Sequence, residues 1–110
     1  MANIPELTPT EFCERWPAGQ RDDVTLLDVR EPGEWQAAHV EDSLHIPMRM
    51  VPGRLNGLDP AQTVVVMCHS GVRSLRVAEY LAASGFTRVF NLSGGIDAWS
   101  LEIDSSVPRY

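Results

Sequence analysis

The chain has 110 residues, 44% of them hydrophobic, with a net charge of −6 and a pI of about 4.9. That length suits one small domain with one core. The acidic balance argues against a general nucleic-acid or anionic-membrane binder. All nine basic residues are arginines, and the composition offers no functional reason for it. The two cysteines, Cys13 and Cys68, lie far apart in an acidic chain, which does not suit a disulfide scaffold. No apolar run approaches the ~20 residues of a membrane span, and the first twenty residues hold no apolar signal core. The default expectation is a cytoplasmic protein.

Ile4–Leu7 reads as a short strand. Thr8 with Glu11 forms a capping box, and Pro9 at the first helical position agrees with it, predicting a helix from Pro9 to about Trp16. Phe12, Cys13 and Trp16 fall on one face of that helix. Cys13 could be a resolving thiol for Cys68, but a small core hydrophobe is the preferred reading.

Val24–Val29 reads as the second strand. It ends in Asp28-Val29-Arg30, so Asp28 and Arg30 fall at a C-terminal strand end, where α/β folds bind ligands. They could touch substrate. The preferred reading is scaffolding, with Asp28 accepting backbone N–H bonds and Arg30 pairing with an acid such as Glu34. Glu31-Pro32-Gly33-Glu34 opens a helix to about Ala38, its acids at the positive end of the dipole. Trp35 is expected to pack on the sheet. His39 could be a general base, although a helix-end hydrogen bond is preferred.

Ser43–Ile46 reads as a short strand stopped by Pro47, followed by an irregular segment and a helix from about Pro52. Met48, Met50, Val51, Leu55 and Leu58 are expected in the core. The three histidines are scattered, with no second cysteine at ligand spacing, so no metal site or cofactor is expected.

Thr63–Met67 is a β-branched apolar run and reads as a strand buried on both faces. Ser74–Ser84 carries Leu75, Ala78, Leu81 and Ala82 at helical spacing, with Gly85 as the stop. Cys68-His69-Ser70-Gly71-Val72-Arg73 lies between them. A cysteine there sits in the crevice outside the strand ends, facing a helix N-terminus. Free N–H groups, the helix dipole and the nearby cations Arg73 and Arg76 all favour a thiolate over a thiol of pKa ~8.5. Cys68 is the candidate nucleophile. His69 and Ser70 could touch a donor or acceptor, or could face solvent. Thr87–Leu92 reads as the last strand, and Ser93-Gly94-Gly95 as a tight turn into a helix over about Ile96–Ser100. The glycine pair is expected to allow close approach to the Cys68 loop. Trp99 is expected in the core. Residues 101–110 read as a tail that drapes over the domain.

Strands alternating with helices imply a parallel α/β sheet with right-handed crossovers. Cys68-x-x-Gly71-x-Arg73-Ser74 after such a strand resembles the active-site loop of the rhodanese family. Leu26-Leu27-Asp28-Val29-Arg30-Glu31, Ala38-His39-Val40 with Ile46-Pro47, Gly85-Phe86 before Val89, and Leu92-Ser93-Gly94-Gly95-Ile96-Asp97-Ala98-Trp99 extend the resemblance in order along most of the chain. His39-Val-Glu41-Asp42-Ser43 departs from the family by lacking its glycine turn, and His45 stands where asparagine is common.

The resemblance implies the rhodanese fold, a five-stranded parallel sheet flanked by helices, for one domain over residues 1–110. It also implies a sulfurtransferase working through a Cys68 persulfide. Backbone N–H groups from His69 to Ser74, including Gly71 and Val72, would hold the sulfur's charge, and Arg73 would add positive field. A small sulfur donor such as thiosulfate and a thiol, protein or cyanide acceptor would be its partners. Phosphatases of the same fold resemble this loop but carry five residues between cysteine and arginine, where this chain has four. A phosphatase or arsenate reductase is therefore the second reading, and a non-catalytic binding module the third.

Overall fold

The computed structural model describes residues 3–110, so positions 1 and 2 of the expected domain lie outside the described residues. Five parallel strands form one sheet: β1 (Glu6–Leu7), β2 (Val24–Asp28), β3 (Ser43–His45), β4 (Thr63–Met67) and β5 (Val89–Leu92), in the order β1-β5-β4-β2-β3. Thr63–Met67 is buried at every position, as an unbroken β-branched run in a central parallel strand should be. The helices are α1 (Pro9–Arg15), α2 (Pro32–Ala37), α3 (Val51–Arg54), α4 (Val72–Ala83) and α5 (Gly95–Glu102), with 3-10 turns on both sides of α3.

The core divides across the sheet. Val64, Val66 and Cys68 of the central strand and its exit pack with Val77, Ala78 and Leu81 of α4. Val65 and Met67, pointing the other way, pack with Phe12 of α1 and Ile96 and Trp99 of α5. Cys13 is half-buried against this second cluster. The sheet separates it from the Cys68 cluster, which suits packing rather than a resolving role.

The Thr8–Glu11 capping box is present, with Thr8 Oγ1 accepting from Glu11 N at 3.1 Å and Glu11 Oε1 from Thr8 N at 2.9 Å. The turn before β3 works without glycine because Asp42 takes the left-handed conformation itself, at φ 65°. Aspartate tolerates that region better than most residues.

Four expectations change. Helix α4 starts at Val72, two residues before Ser74, which brings Arg73 and Ser74 into its first turn. Helix α5 runs on to Glu102, into the expected tail. Met50, expected in the core, is 40% exposed. Trp35 meets the sheet only at its edge, on His45 of β3. Helix α2 has six residues and buries none, so the indole lies between the His39 and His45 rings, at 4.3 and 4.8 Å and nearly parallel to both.

Candidate active site

The register gathers the chemistry at one end of the sheet. Asp28 pairs with Met67 on one side and His45 on the other, and Asn91 sits beside Val66. Asp28 and Asn91 therefore lie near the C-terminal ends of the two strands flanking the exit to Cys68, with His45 one strand further out.

Cys68 is 1% exposed. Gly71 turns the chain with φ 110°, a left-handed conformation suited to glycine, and its N–H donates to Cys68 Sγ at 3.1 Å. The thiol donates to Ser74 Oγ at 3.2 Å, and Ser74 Oγ donates to Asn91 Oδ1 at 2.5 Å. Asn91 Nδ2 donates to the Glu6 carboxylate at 3.0 and 3.2 Å and to Gly71 O at 3.0 Å. Burial pushes the Cys68 thiol up, but the Ser74 hydroxyl and the N–H groups of Ser74, Gly71 and Ser70 outweigh it and leave its pKa below the ordinary value. Ser74 carries one proton. Once Cys68 is a thiolate, that proton can turn to the sulfur at the expense of Asn91.

Helix α5 holds the loop from behind. Ile96 N donates to Cys68 O at 2.9 Å and Asp97 N to His69 O at 3.2 Å. These carbonyls satisfy N–H groups that a helix start leaves free. Gly95 has φ 58°, and a Cβ there would fall against both loop carbonyls, 2.5 Å from His69 O. The expected close approach of the Gly-Gly turn is thus present.

Asp28 and Arg30 are both fully buried. Arg30 Nη2 donates to Asp28 Oδ2 at 2.6 Å and to Ala38 O at 2.7 Å, while Nη1 reaches Glu34 O at 3.3 Å. Arg30 therefore pairs with Asp28 and takes only the backbone carbonyl of Glu34, a correction to the expected side-chain pair. The carboxylate of Glu34 is taken by Arg73, with Nη1–Oε1 2.6 Å and Nη2–Oε2 2.9 Å. This fork holds the Glu34 pKa down at about 2, and raises that of Arg73. Arg73 is thus a strut from α4 to α2, and Glu34 offsets the positive field it was expected to lend Cys68.

His39 Nδ1 lies 3.0 Å from Trp35 O and His45 Nε2 2.7 Å from Arg30 O, which are structural hydrogen bonds. His69 is half-buried, Ser70 and Val72 are exposed, and Arg76 is on the exposed side of α4, where it lines a small cleft with Met48, Val51 and Tyr80. Among the described residues, no group of three or more His, Cys, Asp or Glu could hold a metal ion, and no helix is long and apolar enough to cross a membrane. A cavity of about 560 Å³, lined by Trp16, Thr63, Arg88 and Phe90 among others, opens at the other end of the strands, away from Cys68.

Three residues outside the sequence expectations belong to this neighbourhood. Glu6 and Asn91 lie on strands whose pattern signals only burial. Tyr110 comes from the tail, and its ring stacks on His69 with centroids 4.3 Å apart. None sits in a local motif that would have marked it.

Residues 14–102 match the rhodanese-like domain family. The chain belongs to that family. A sulfurtransferase of Allochromatium vinosum is 40% identical over 79 residues, covering 72% of this chain and 74% of the relative. The chloroplastic rhodanese-like/PpiC domain-containing protein 12 of Arabidopsis thaliana is 39% identical over 93 residues. That match covers 81% of this chain and 31% of the longer plant protein. A rhodanese-like domain protein from Staphylococcus aureus superposes with a TM-score of 0.79 at 30% identity, covering 87% of this chain and 91% of its own. The five-stranded parallel sheet flanked by helices is thus the rhodanese-like fold.

Proposed function

We propose that this rhodanese-like domain is a sulfurtransferase that carries sulfane sulfur as a persulfide on Cys68. The observation that carries the reading is the thiol held between Gly71 N–H and Ser74 Oγ at the head of α4, with its pKa lowered. A lowered pKa raises the share of thiolate, the nucleophilic form of the side chain. The Cys68 thiolate attacks the outer sulfur of thiosulfate. The new S–S bond forms as the sulfur–sulfonate bond breaks, and sulfite leaves with the electron pair. The persulfide's terminal sulfur keeps the negative charge, which the loop N–H groups from His69 to Ser74 stabilise as an anion hole. Cyanide or a thiolate then takes that sulfur and returns Cys68 as thiolate. Thiosulfate, small persulfides, and a small or protein thiol are the proposed partners, and the site needs no cofactor.

Loop size supports sulfur over phosphate. Four residues separate Cys68 from Arg73, and Arg73 is held in a fork by Glu34. A phosphoryl group brings several oxygens and needs a wider ring of donors. A persulfide adds one atom along the cysteine axis, and donors matched to it favour that chemistry. Asp28 and Arg30 support the site from below, and Arg76, expected to act on Cys68, instead faces a separate cleft on the exposed side of α4.

Intact-protein mass spectrometry tests the reading. The protein should gain one sulfur atom from thiosulfate or a persulfide donor and lose it to cyanide. Cys68→Ser should gain none, and Cys13→Ser should behave like the unmodified protein. Loading that persists in Cys68→Ser would refute the mechanism. Cys68-dependent aryl phosphate hydrolysis without sulfur loading from any donor would put the phosphatase in its place.

A further inference from the structure

The segment after α5 is led back to the strand ends by a series of contacts. Ser100 Oγ donates to Val107 O at 2.7 Å, and Val107 is buried. Arg109 Nε then donates to Asp97 Oδ1 at 2.8 Å, on the first turn of α5. Tyr110 follows and meets three groups around the Cys68 loop. Its ring lies 4.3 Å from the His69 ring with 16° between the planes. Its hydroxyl accepts from Arg30 Nη1 at 2.9 Å and donates to Glu34 Oε2 at 2.7 Å.

These contacts bracket the loop. His69 is the residue after the nucleophile, and Glu34 is the carboxylate that grips Arg73 at the loop's far end. The phenol also ties Glu34 to the fully buried Arg30–Asp28 pair, which is held by further hydrogen bonds to Ala38 O and Glu34 O. A hydroxyl that accepts from a guanidinium while donating to a carboxylate suits this place. Phenylalanine would keep the stack and lose both hydrogen bonds.

We propose that Tyr110 is a positioning residue of the sulfur site: it pins His69 by stacking and Arg73 through Glu34, and so fixes the loop whose N–H groups receive the sulfur's charge. The inference rests on the reading of Cys68 as the sulfur carrier, but its consequence for the thiolate can be measured without sulfur transfer.

The test uses Tyr110→Phe and Tyr110→Ala in the full chain, with Tyr80→Phe as a control on the exposed side of α4. Two quantities are read: the pH profile of Cys68 alkylation by iodoacetamide, and the single-turnover rate of sulfur loading at saturating thiosulfate. Both Tyr110 variants should titrate at higher pH than the unmodified protein. Loading should slow several-fold in the phenylalanine variant, and about tenfold or more in the alanine variant, which loses stack and hydrogen bonds together. A packing role alone would lower the melting temperature and leave the alkylation midpoint in place. An unmoved midpoint and an unchanged loading rate in the folded phenylalanine variant would overturn the proposal, even if the alanine variant does not fold. Unmodified protein that takes up no sulfur would instead overturn the sulfurtransferase reading, while a shifted alkylation profile would still support the role of Tyr110.

Discussion

Ser74→Ala isolates the groups that hold the thiolate. Ser74 Oγ is 3.2 Å from Cys68 Sγ in a fully buried position. Its hydroxyl is the foremost of the groups that lower the Cys68 pKa, behind only the opposing effect of burial. A hydrogen bond to a charged group contributes about 1.5–3 kcal/mol, and one pKa unit corresponds to about 1.4 kcal/mol. Removing the hydroxyl should therefore raise the Cys68 pKa by about 1–2 units, while the Gly71 and Ser70 N–H groups remain. At any pH below the midpoint of the unmodified protein, the thiolate fraction, and with it the alkylation rate, should fall about tenfold or more. The same change leaves Asn91 Oδ1 without its donor at 2.5 Å. A buried unsatisfied acceptor costs about 1–3 kcal/mol, so a lower melting temperature should accompany the shift. The assay is the rate of Cys68 carbamidomethylation against pH, followed by intact mass, on protein verified as folded. A midpoint within a few tenths of a unit of the unmodified protein's would show that the backbone donors alone hold the thiolate, and would refute the reasoning.

Two further substitutions probe the supports. The Glu34 pKa lies at about 2 against an ordinary 4.5, so the carboxylate's contribution is fully present above about pH 4.5 and is lost as pH falls toward 2. The unscreened shift corresponds to roughly 3 kcal/mol. The Glu34 and Arg73 side chains are 21% and 33% exposed, so solvent screening brings the expectation to about 1–2 kcal/mol. Glu34→Gln should lose that much at pH 7 in urea unfolding and flatten the acid limb of stability; an acid limb like that of the unmodified protein would count against the pair. Gly95→Ala should be among the most damaging small substitutions, because its Cβ meets the backbone carbonyls of Cys68 and His69 at a left-handed φ. We expect a loss of several kcal/mol or a displaced loop without sulfur loading; a stable, fully active variant would show that α5 can draw back.

Much of the architecture was legible in local patterns, because the signals are themselves local. A β-branched run buried on both faces marks β4, and the Thr8–Glu11 box with Pro9 marks the start of α1. The position of Cys68 between a strand end and a helix start follows from order along the chain alone. Asp28 and Arg30 read as scaffolding from their place at a strand end, but not as each other's partner, since the acid expected for Arg30 was Glu34 and the fold gives that carboxylate to Arg73. The exact start of α4 was not legible. Gly71 reads equally well as a loop residue, and only its left-handed φ and the N–H bond to sulfur show that it ends the loop.

What the sequence by itself determined, then, is the place of Cys68 between a strand end and a helix start, the parallel α/β order and the glycine turn behind the loop. Only the tertiary structure decided the partners. Arg73 and Glu34 are 39 residues apart, and Ser74 and Asn91 are 17 apart. Tyr110 reaches Glu34 across 76 residues. No periodicity encodes such pairs, because side-chain charge and hydrogen-bonding capacity say what a residue can bind and not which element will bring a partner to it. The same limit explains the two misplaced roles. Arg73 looked like a free cation until the fold set Glu34 against it, and Met50 looked like core until the 3-10 turn before α3 left it exposed.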